Sequence, residues 1–326
     1  MVNKSVAVII VNWNGEEFLG RCLDALMAQS VTPFEIIVVD NASSDGSVDI
    51  LKRFPSVRLI ELDQNTGFAR GNNLAIEAVS NEVEWIALLN PDAFASPYWL
   101  EEMLETASCH PEFDVFGSKL LKASDSQVLD GVGDIYHLRG LVWRNGHGLS
   151  ELLVGEKAEE QEIFSPCAAA ALYRRDALLK VGGFDEDFFC YTEDVDLGFR
   201  LRLRGYRCMY VPKSIVYHVG SGTTGSQHSE FAIYHGHRNL VWTFIKNMPG
   251  WLFWLCLPVH IAMNIVSIFW FAYRGLGRVV VKAKWDALLG VSSMWRKRQK
   301  IQQQRDVSIR TIWHLLDKRL IPVRYK

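Results

Sequence analysis

Little in this 326-residue chain points to a disulfide or zinc scaffold. Its six cysteines stand at 22, 109, 167, 190, 208 and 256, with no Cys-x-x-Cys pair and no zinc-like spacing. Reduced thiols in a cytoplasmic compartment are the simplest reading. Surplus charge is also missing. A formal net charge of −2 with 49% apolar residues excludes a disordered chain, and a nucleic-acid binder by overall charge. The opening stretch, MVNKSVAVIIVNWNG, has too short an apolar part for a secretory leader and runs directly into a strand pattern, so the body is expected to stay in the cytoplasm. VNWNGEEF lacks the glycine-rich loop and phosphate-contacting basic residue expected of a nucleotidyltransferase.

What is present is strand–helix alternation. SVAVIIV (5–11) and EIIVVD (35–40) are continuous β-branched runs of the kind buried on both faces of a parallel sheet. VRLIEL (57–62) and EWIALL (84–89) continue the series. Between them, residues 16–29, 47–54 and 71–79 carry helical apolar periodicity. The alternation predicts an α/β fold with a doubly wound, mostly parallel sheet. In such sheets ligands bind beyond the carboxyl ends of the strands. Those ends here read Asn12-Trp13-Asn14-Gly15, Asp40-Asn41-Ala42-Ser43-Ser44-Asp45-Gly46, Asn65-Thr66-Gly67-Phe68-Ala69-Arg70-Gly71, and Asn90-Pro91-Asp92. Each alone is ordinary turn or cap chemistry; four on one sheet edge are hard to explain as independent caps. Residues 110–165 read as loops or a small hairpin near a pocket. CAAAALYR (167–174) reads as a strand, Asp194–Arg204 as a helix after an acidic patch, and VPKSIVYHVG as a strand ending near His218.

The set DNASSDGS, NTGFARGNN, NPDA, GGFDEDFFCYTEDVDLGFRLRLRGY and YHVGSGT resembles the family 2 inverting glycosyltransferases of GT-A fold, in their rhamnosyltransferase-like branch, over about residues 5–225. The resemblance implies a nucleotide-diphosphate sugar donor and a divalent cation, Mg²⁺ or Mn²⁺, between its pyrophosphate and the protein's acids. It places a metal ligand at Asp92, with Asn90 standing where the family's Asp-x-Asp motif usually has its first carboxylate. His218, at a strand end, is a second candidate ligand. Asp40 matches the base-recognition aspartate, which can accept the N3–H of uracil or thymine. Asn12, Asn65, Gly67 and Arg70 are assigned to the donor, Arg70 as the cation reaching phosphate with Gly67 and Gly71 permitting close backbone approach. Asp45 reads as a cap, and Trp13 as a base-stacking or core-edge residue. The match puts the general base on Asp194, with Glu193 beside it; Asp196 and Arg200, four apart, read as a supporting ion pair. The loop Gly220-Ser221-Gly222 is expected to close over donor phosphates. Processive synthases of this family carry Gln-x-x-Arg-Trp and several spans; neither occurs, so single-sugar addition is expected.

Residues 250–273 form a 24-residue stretch without formal charge, counting His260 as neutral. It is long enough to span a bilayer, but its flanks are basic on both sides. An in-plane or re-entrant hairpin kinked near Pro258, on an anionic membrane surface, is the expected form. Residues 274–326 hold 14 Lys+Arg against 3 Asp+Glu, leaving an acidic body. The expectation is therefore a catalytic domain at 1–235 and a helical, basic, membrane-associated region at 236–326. The enzyme would work at the cytoplasmic face of a bacterial inner membrane on a lipid-linked glycan acceptor. The alternative is a membrane-associated nucleotide-sugar or glycan-binding scaffold without transfer activity. The sequence carries no signal for oligomeric state.

Overall fold

The computed structural model describes residues 5–154, 159–220 and 229–319. The expected loop at Ser221-Gly222 lies outside them. The chain opens with β1 (Val6–Asn12), α1 (Glu16–Met27), β2 (Glu35–Asp40), α2 (Ser47–Leu51), β3 (Val57–Glu61), α3 (Gly67–Ala78) and β4 (Trp85–Leu89). Then come β5 (Ala93–Ala95), α4 (Trp99–Cys109), β6 (Val115–Lys122), β7 (Asp125–Gly131), β8 (Asp134–Tyr136), β9 (Val142–Arg144), α5 (Glu151–Val154) and β10 (Gln161–Glu162). β11 (Ala170–Arg174), α6 (Arg175–Lys180), a 3₁₀ turn at Glu186–Phe188, α7 (Glu193–Leu203) and β12 (Cys208–His218) complete the sheet region. Five helices follow: α8 (Glu230–Asn247), α9 (Gly250–Tyr273), α10 (Gly277–Leu289), α11 (Val291–Gln303) and α12 (Ile309–Leu315).

The main sheet runs β10-β12-β6-β11-β4-β1-β2-β3. β1 to β4 are parallel, β11 is antiparallel between β4 and β6, and β12 is parallel to β6. One face buries Leu19, Leu23 and Leu26 of α1 and Trp99 and Met103 of α4. The other buries Ala69 and Ile76 of α3 and Leu197 and Leu201 of α7. The expected strands and helices of residues 5–89 are all present. Residues 110–165 are more ordered than the expected loops: they supply β6, a central strand, and its partner β7. DVFGSKLLK offered no alternation because β6 is buried on both faces.

The division expected at residue 235 falls inside α8, and the parts on either side share a third core. Tyr136, Phe188, Val195 and Phe199 pack there with Val241, Phe244, Phe253 and Ile312. Buried charges also join them. Lys246 of α8 pairs with Asp185 and, at 2.8 Å, with Asp196 of α7; Lys297 of α11 pairs with Asp185 and, at 2.7 Å, with Asp187. Arg298 is buried and donates to the carbonyls of Ile245 (2.8 Å) and Met248 (2.5 Å). Part of the charge asymmetry between body and tail is thus internal pairing.

α9 is one continuous helix of 24 residues through Pro258, so the chain does not reverse there as expected. It reverses at Arg274–Leu276, where Gly275 takes φ +79°. A proline inside a helix forfeits one backbone hydrogen bond; it need not end the helix when neighbours pack alongside. The flanking face does so, with Cys256 and His260 buried.

Candidate active site

A cavity of about 870 Å³ opens beyond the carboxyl ends of β1 and β4, lined by Trp13, Asn65, Gly67, Asn90, Asp92, Glu193, Asp194 and His218 among others. Topology brings Asp92 and His218 together. β5 begins right after Asp92 and pairs antiparallel with β12, setting Ala93 opposite His218. The His218 Nε2 then lies 3.4 Å from Asp92 Oδ1, both side chains buried. On its other side His218 Nδ1 meets Asp130 Oδ2 at 2.8 Å. Burial alone would lower the imidazole, but the hydrogen bonds and charges of Asp130 and Asp92 raise it to about 9. Asp130 in turn accepts from Arg144 Nη1 at 2.5 Å, and its own carbonyl meets His147 Nδ1 at 2.9 Å. Burial opposes ionisation of Asp130, yet His147, His218 and Arg144 hold its carboxyl far below the usual range.

Asp92 and His218 suit a divalent cation as two ligands from one side once the imidazole yields its Nε2 proton to the arriving ion, with the Asp130 carboxylate fixing the ring as in many metal sites. Asn90 also lines this cavity, and its Oδ1 is buried without a hydrogen-bond partner. Among the described residues no group of three or more His, Cys, Asp or Glu could hold a metal alone. The remaining ligands would have to be water and phosphate oxygens, the usual arrangement for Mg²⁺ at nucleotide sites.

The acids sit at the start of α7. Phe189, Tyr191 and Thr192 just before it all have positive φ, and the other two non-glycine residues so placed among those described, Asn14 and Ala42, flank Trp13 and Asn41 at the strand ends. Such backbone costs about 1–3 kcal/mol per residue and gathers at functional sites. Asp194 accepts from the backbone N–H of Ala168 at 3.3 Å and of Val195 at 2.8 Å. Burial raises its carboxyl, and those N–H groups with Arg144 partly oppose the rise. Glu193 rises well above the ordinary value through burial and the Asp194 charge, and its Oε2 has no partner. Asp134, also in the cavity wall, is raised by burial and by Asp194.

The donor-side residues divide. Asn65 and Gly67 line the cavity, and Asn65 Oδ1 accepts from the Gly67 N–H at 2.9 Å. Gly67 (φ +86°) has Phe189 where a Cβ would stand, 2.6 Å from ring and carbonyl, so its close approach is to protein. Gly71 likewise lies against Val11. Asn12 and Asp40 are opposite each other in the β1–β2 register, and Asn12 Nδ2 donates to Asp40 Oδ1 at 2.9 Å. Asp40 also accepts from the Ser43 hydroxyl (2.7 Å) and Ser43 N–H (2.9 Å); both Asn12 and Asp40 are buried behind the cavity wall. Arg70 lies outside the cavity lining and pairs with Glu186 at 2.9 Å, because its place on the first turn of α3 turns it toward the 3₁₀ turn. Asp45 accepts from the N–H groups of Glu16 (2.9 Å) and Ser47 (3.1 Å), the capping role expected. Asp196 is fully buried and pairs with Arg200 at 2.8 Å.

Sequence reasoning missed Asp130, Asp134, Arg144 and His147. The signal available was DGVGD and WRNGHG, two carboxylates and two cations among glycines. Nothing local fixes their partners, which β12 and α7 supply.

Residues 7–182 match the model of glycosyl transferase family 2, and residues 142–295 that of glycosyl transferase family group 2. The chain belongs to glycosyl transferase family 2. This glycosyltransferase is 27% identical over 263 residues to the N-acetylglucosaminyl-diphospho-decaprenol L-rhamnosyltransferase of Mycobacterium tuberculosis, covering 75% of this chain and 85% of that protein. Its fold is similar to GalNAc-T7 solved with UDP, GalNAc and Mn²⁺ (TM-score 0.60, 14% identity, 76% of this chain and 48% of the other). It is also similar to S. aureus TarS 1–349 in complex with UDP (TM-score 0.55, 16% identity, 91% of each chain). The architecture is GT-A, and the enzyme is rhamnosyltransferase-like.

Proposed function

We propose that this glycosyltransferase moves one sugar, with inversion, from a nucleotide-diphosphate donor to a hydroxyl of a lipid-linked glycan in bacterial cell-surface polysaccharide synthesis. dTDP-rhamnose is the favoured donor and a UDP-sugar the alternative; the cytoplasmic face of the inner membrane is the place of work. The observation that carries the reading is the union of the Asp92–His218 pair and the Glu193–Asp194 pair in one cavity. The lipid-linked acceptor is supported by similarity to an enzyme whose name specifies a diphospho-decaprenol sugar.

Asp92 and His218 would hold Mg²⁺ or Mn²⁺ against the pyrophosphate. The cation's contribution is to offset the charge that grows on the departing nucleotide diphosphate. Asp194 takes the proton of the acceptor hydroxyl as that oxygen bonds to the anomeric carbon and the bond from that carbon to the phosphate oxygen breaks. Asp194 suits this better than Glu193. Its oxygens accept two backbone N–H bonds, which favour the ionised form that can take a proton. At Glu193 burial and the Asp194 charge disfavour the ionised form, and Oε2 has no partner to offset them. Asn65, Gly67 and Trp13 line the cavity and would meet the donor there, with Asn12 and Asp40 behind them at the strand ends and Asp40 the candidate for the base.

The test is the purified chain with a panel of nucleotide-sugars and Mg²⁺ or Mn²⁺, scored for donor hydrolysis and transfer. Asp194→Asn should lower turnover by roughly 10²–10⁴-fold with donor affinity unchanged. Turnover near that of the native chain would move the base elsewhere, Glu193 first.

A further inference from the structure

We infer that α9 and α10 form a flat-lying foot that seats the cavity side of the enzyme on an anionic bilayer leaflet without crossing it. Along α9 the exposed apolar residues recur on one face, as in Trp254, Ile265, Phe269 and Tyr273. On α10, Val281, Trp285 and Leu288 continue the exposed surface. Exposed apolar area of this extent on a soluble body marks an interaction site. The opposite face of α9 is buried as far as His260 and half-buried beyond it, at Met263, Asn264, Ser267, Ile268 and Phe271. Leu252, Phe253 and Cys256 are buried in the third core. His260 stacks on Phe244 at 4.0 Å and its Nδ1 meets the Arg139 carbonyl at 2.8 Å. Phe271, near the far end, contacts His237 of α8 at 4.7 Å between rings.

That coverage decides the mode of contact. A helix that crosses needs about 20 residues within about 30 Å of hydrocarbon. Here α8 and α10 run beside α9 and would be drawn in with it, together with Asp286 and Lys284. Lateral contact leaves those groups on the protein side, where Tyr234 donates to Asp286 at 2.6 Å and Lys284 to the His237 carbonyl at 2.7 Å.

Charge selects the partner. Arg274, Arg278 and Lys282 are exposed at the hairpin turn and along α10. Asp286 is the one acidic residue between 250 and 289, and it is engaged. Between the helices lies a groove of about 720 Å³ with Ile268, Val281 and Trp285 as its apolar walls and Arg278 and Lys282 at its polar side. Apolar and aromatic residues beside a basic edge match an acyl–headgroup boundary rich in anionic lipid.

The geometry also orients the enzyme. Phe231 and Ala232, on the first turn of α8, line the active-site cavity, and Tyr234 and His237 touch α10 and α9. Six residues of helix separate Phe231 from His237, about 9 Å. The cavity wall at Phe231 therefore lies close to the foot, within reach of a lipid-borne sugar. The purpose of the foot rests on the proposed acceptor; its test does not.

The test floats the full chain with sealed phosphatidylcholine vesicles, with or without phosphatidylglycerol, and measures UDP binding in the same preparations. The chain should float with phosphatidylglycerol vesicles. Phe269→Glu with Trp285→Glu should cut the bound fraction at least about tenfold. Arg278→Glu with Lys282→Glu should abolish the preference for phosphatidylglycerol. UDP binding should stay unchanged in all of them. Arg274→Cys on bound protein should react with an impermeant maleimide added outside, within about threefold of the exposed native Cys109. Protection of Arg274→Cys until detergent is added would overturn the flat-lying foot in favour of a span. A chain that stays with the soluble fraction, as a monomer or as a dimer covering this face, would overturn bilayer contact. Loss of UDP binding in the unaltered chain would count against a UDP-sugar donor and leave the foot standing.

Discussion

Lys246→Met tests how the helix bearing Asp194 is held. The Lys246 side chain is 1% exposed, lies 2.8 Å from Asp196 Oδ1 and pairs with Asp185. Burial pushes the Asp196 carboxyl up, but Lys246 and Arg200 outweigh it and hold it below the usual range. Removing one partner of a buried pair costs about 3–5 kcal/mol, since the other charge is left without compensation. Two features reduce that here. Asp196 keeps Arg200 at 2.8 Å and Asn247 at 2.8 Å, and Asp185 keeps Lys297. Methionine also fills most of the aliphatic volume. The expected loss is about 2–3 kcal/mol, which at roughly 2–3 °C per kcal/mol lowers the melting temperature by about 4–9 °C. Thermal unfolding followed by circular dichroism measures it. Lys297→Met is the control: its side chain is 34% exposed, so loss of its pairs with Asp185 and Asp187 should cost less than about 1 kcal/mol. A Lys246→Met chain that melts with the native one, or no lower than Lys297→Met, would refute the reasoning.

Asp92→Ala should remove the Mn²⁺-dependent part of UDP affinity by calorimetry in a chain whose circular dichroism stays native; persistent metal dependence would remove Asp92 from the ligands. Asp130→Ala frees the ring of His218 and should weaken Mn²⁺ affinity in the presence of UDP by about 10–100-fold, read by Mn²⁺ paramagnetic resonance. Asp130→Asn should lose less, since its amide oxygen can still accept from Nδ1–H, and equal affinities in all three chains would refute the role. Burial and Asp194 raise the Glu193 carboxyl, so the folded state keeps a proton that the unfolded chain releases above about pH 4.3. That part of the stability is lost as pH rises toward the folded value, and Glu193→Gln should flatten the fall in urea melts above about pH 5. An unchanged slope would mean that Glu193 is ionised in the folded protein.

The sequence by itself determined the αβ alternation and which strand ends bear the site, because both are local. β-branched runs, helical periodicity and polar residues after each strand need no distant partner to be read. The TEDVD and NPDA segments could be singled out in the same way. Only the tertiary structure decided the partners. Arg70 reads as a phosphate-binding cation until the 3₁₀ turn brings Glu186 to it. Asp130 lies in a stretch that reads as loops or a small hairpin until β12 sets His218 beside it, 88 positions away in sequence. The apolar stretch 250–273 has the length of a span by hydropathy, and only the fold shows that its Leu252, Cys256 and His260 are buried against the body. The boundary expected at 235 was drawn without such contacts: Lys246 and Asp196 are 50 residues apart and share one buried site, and pairing across such distances is fixed by packing, which leaves no periodicity in the chain.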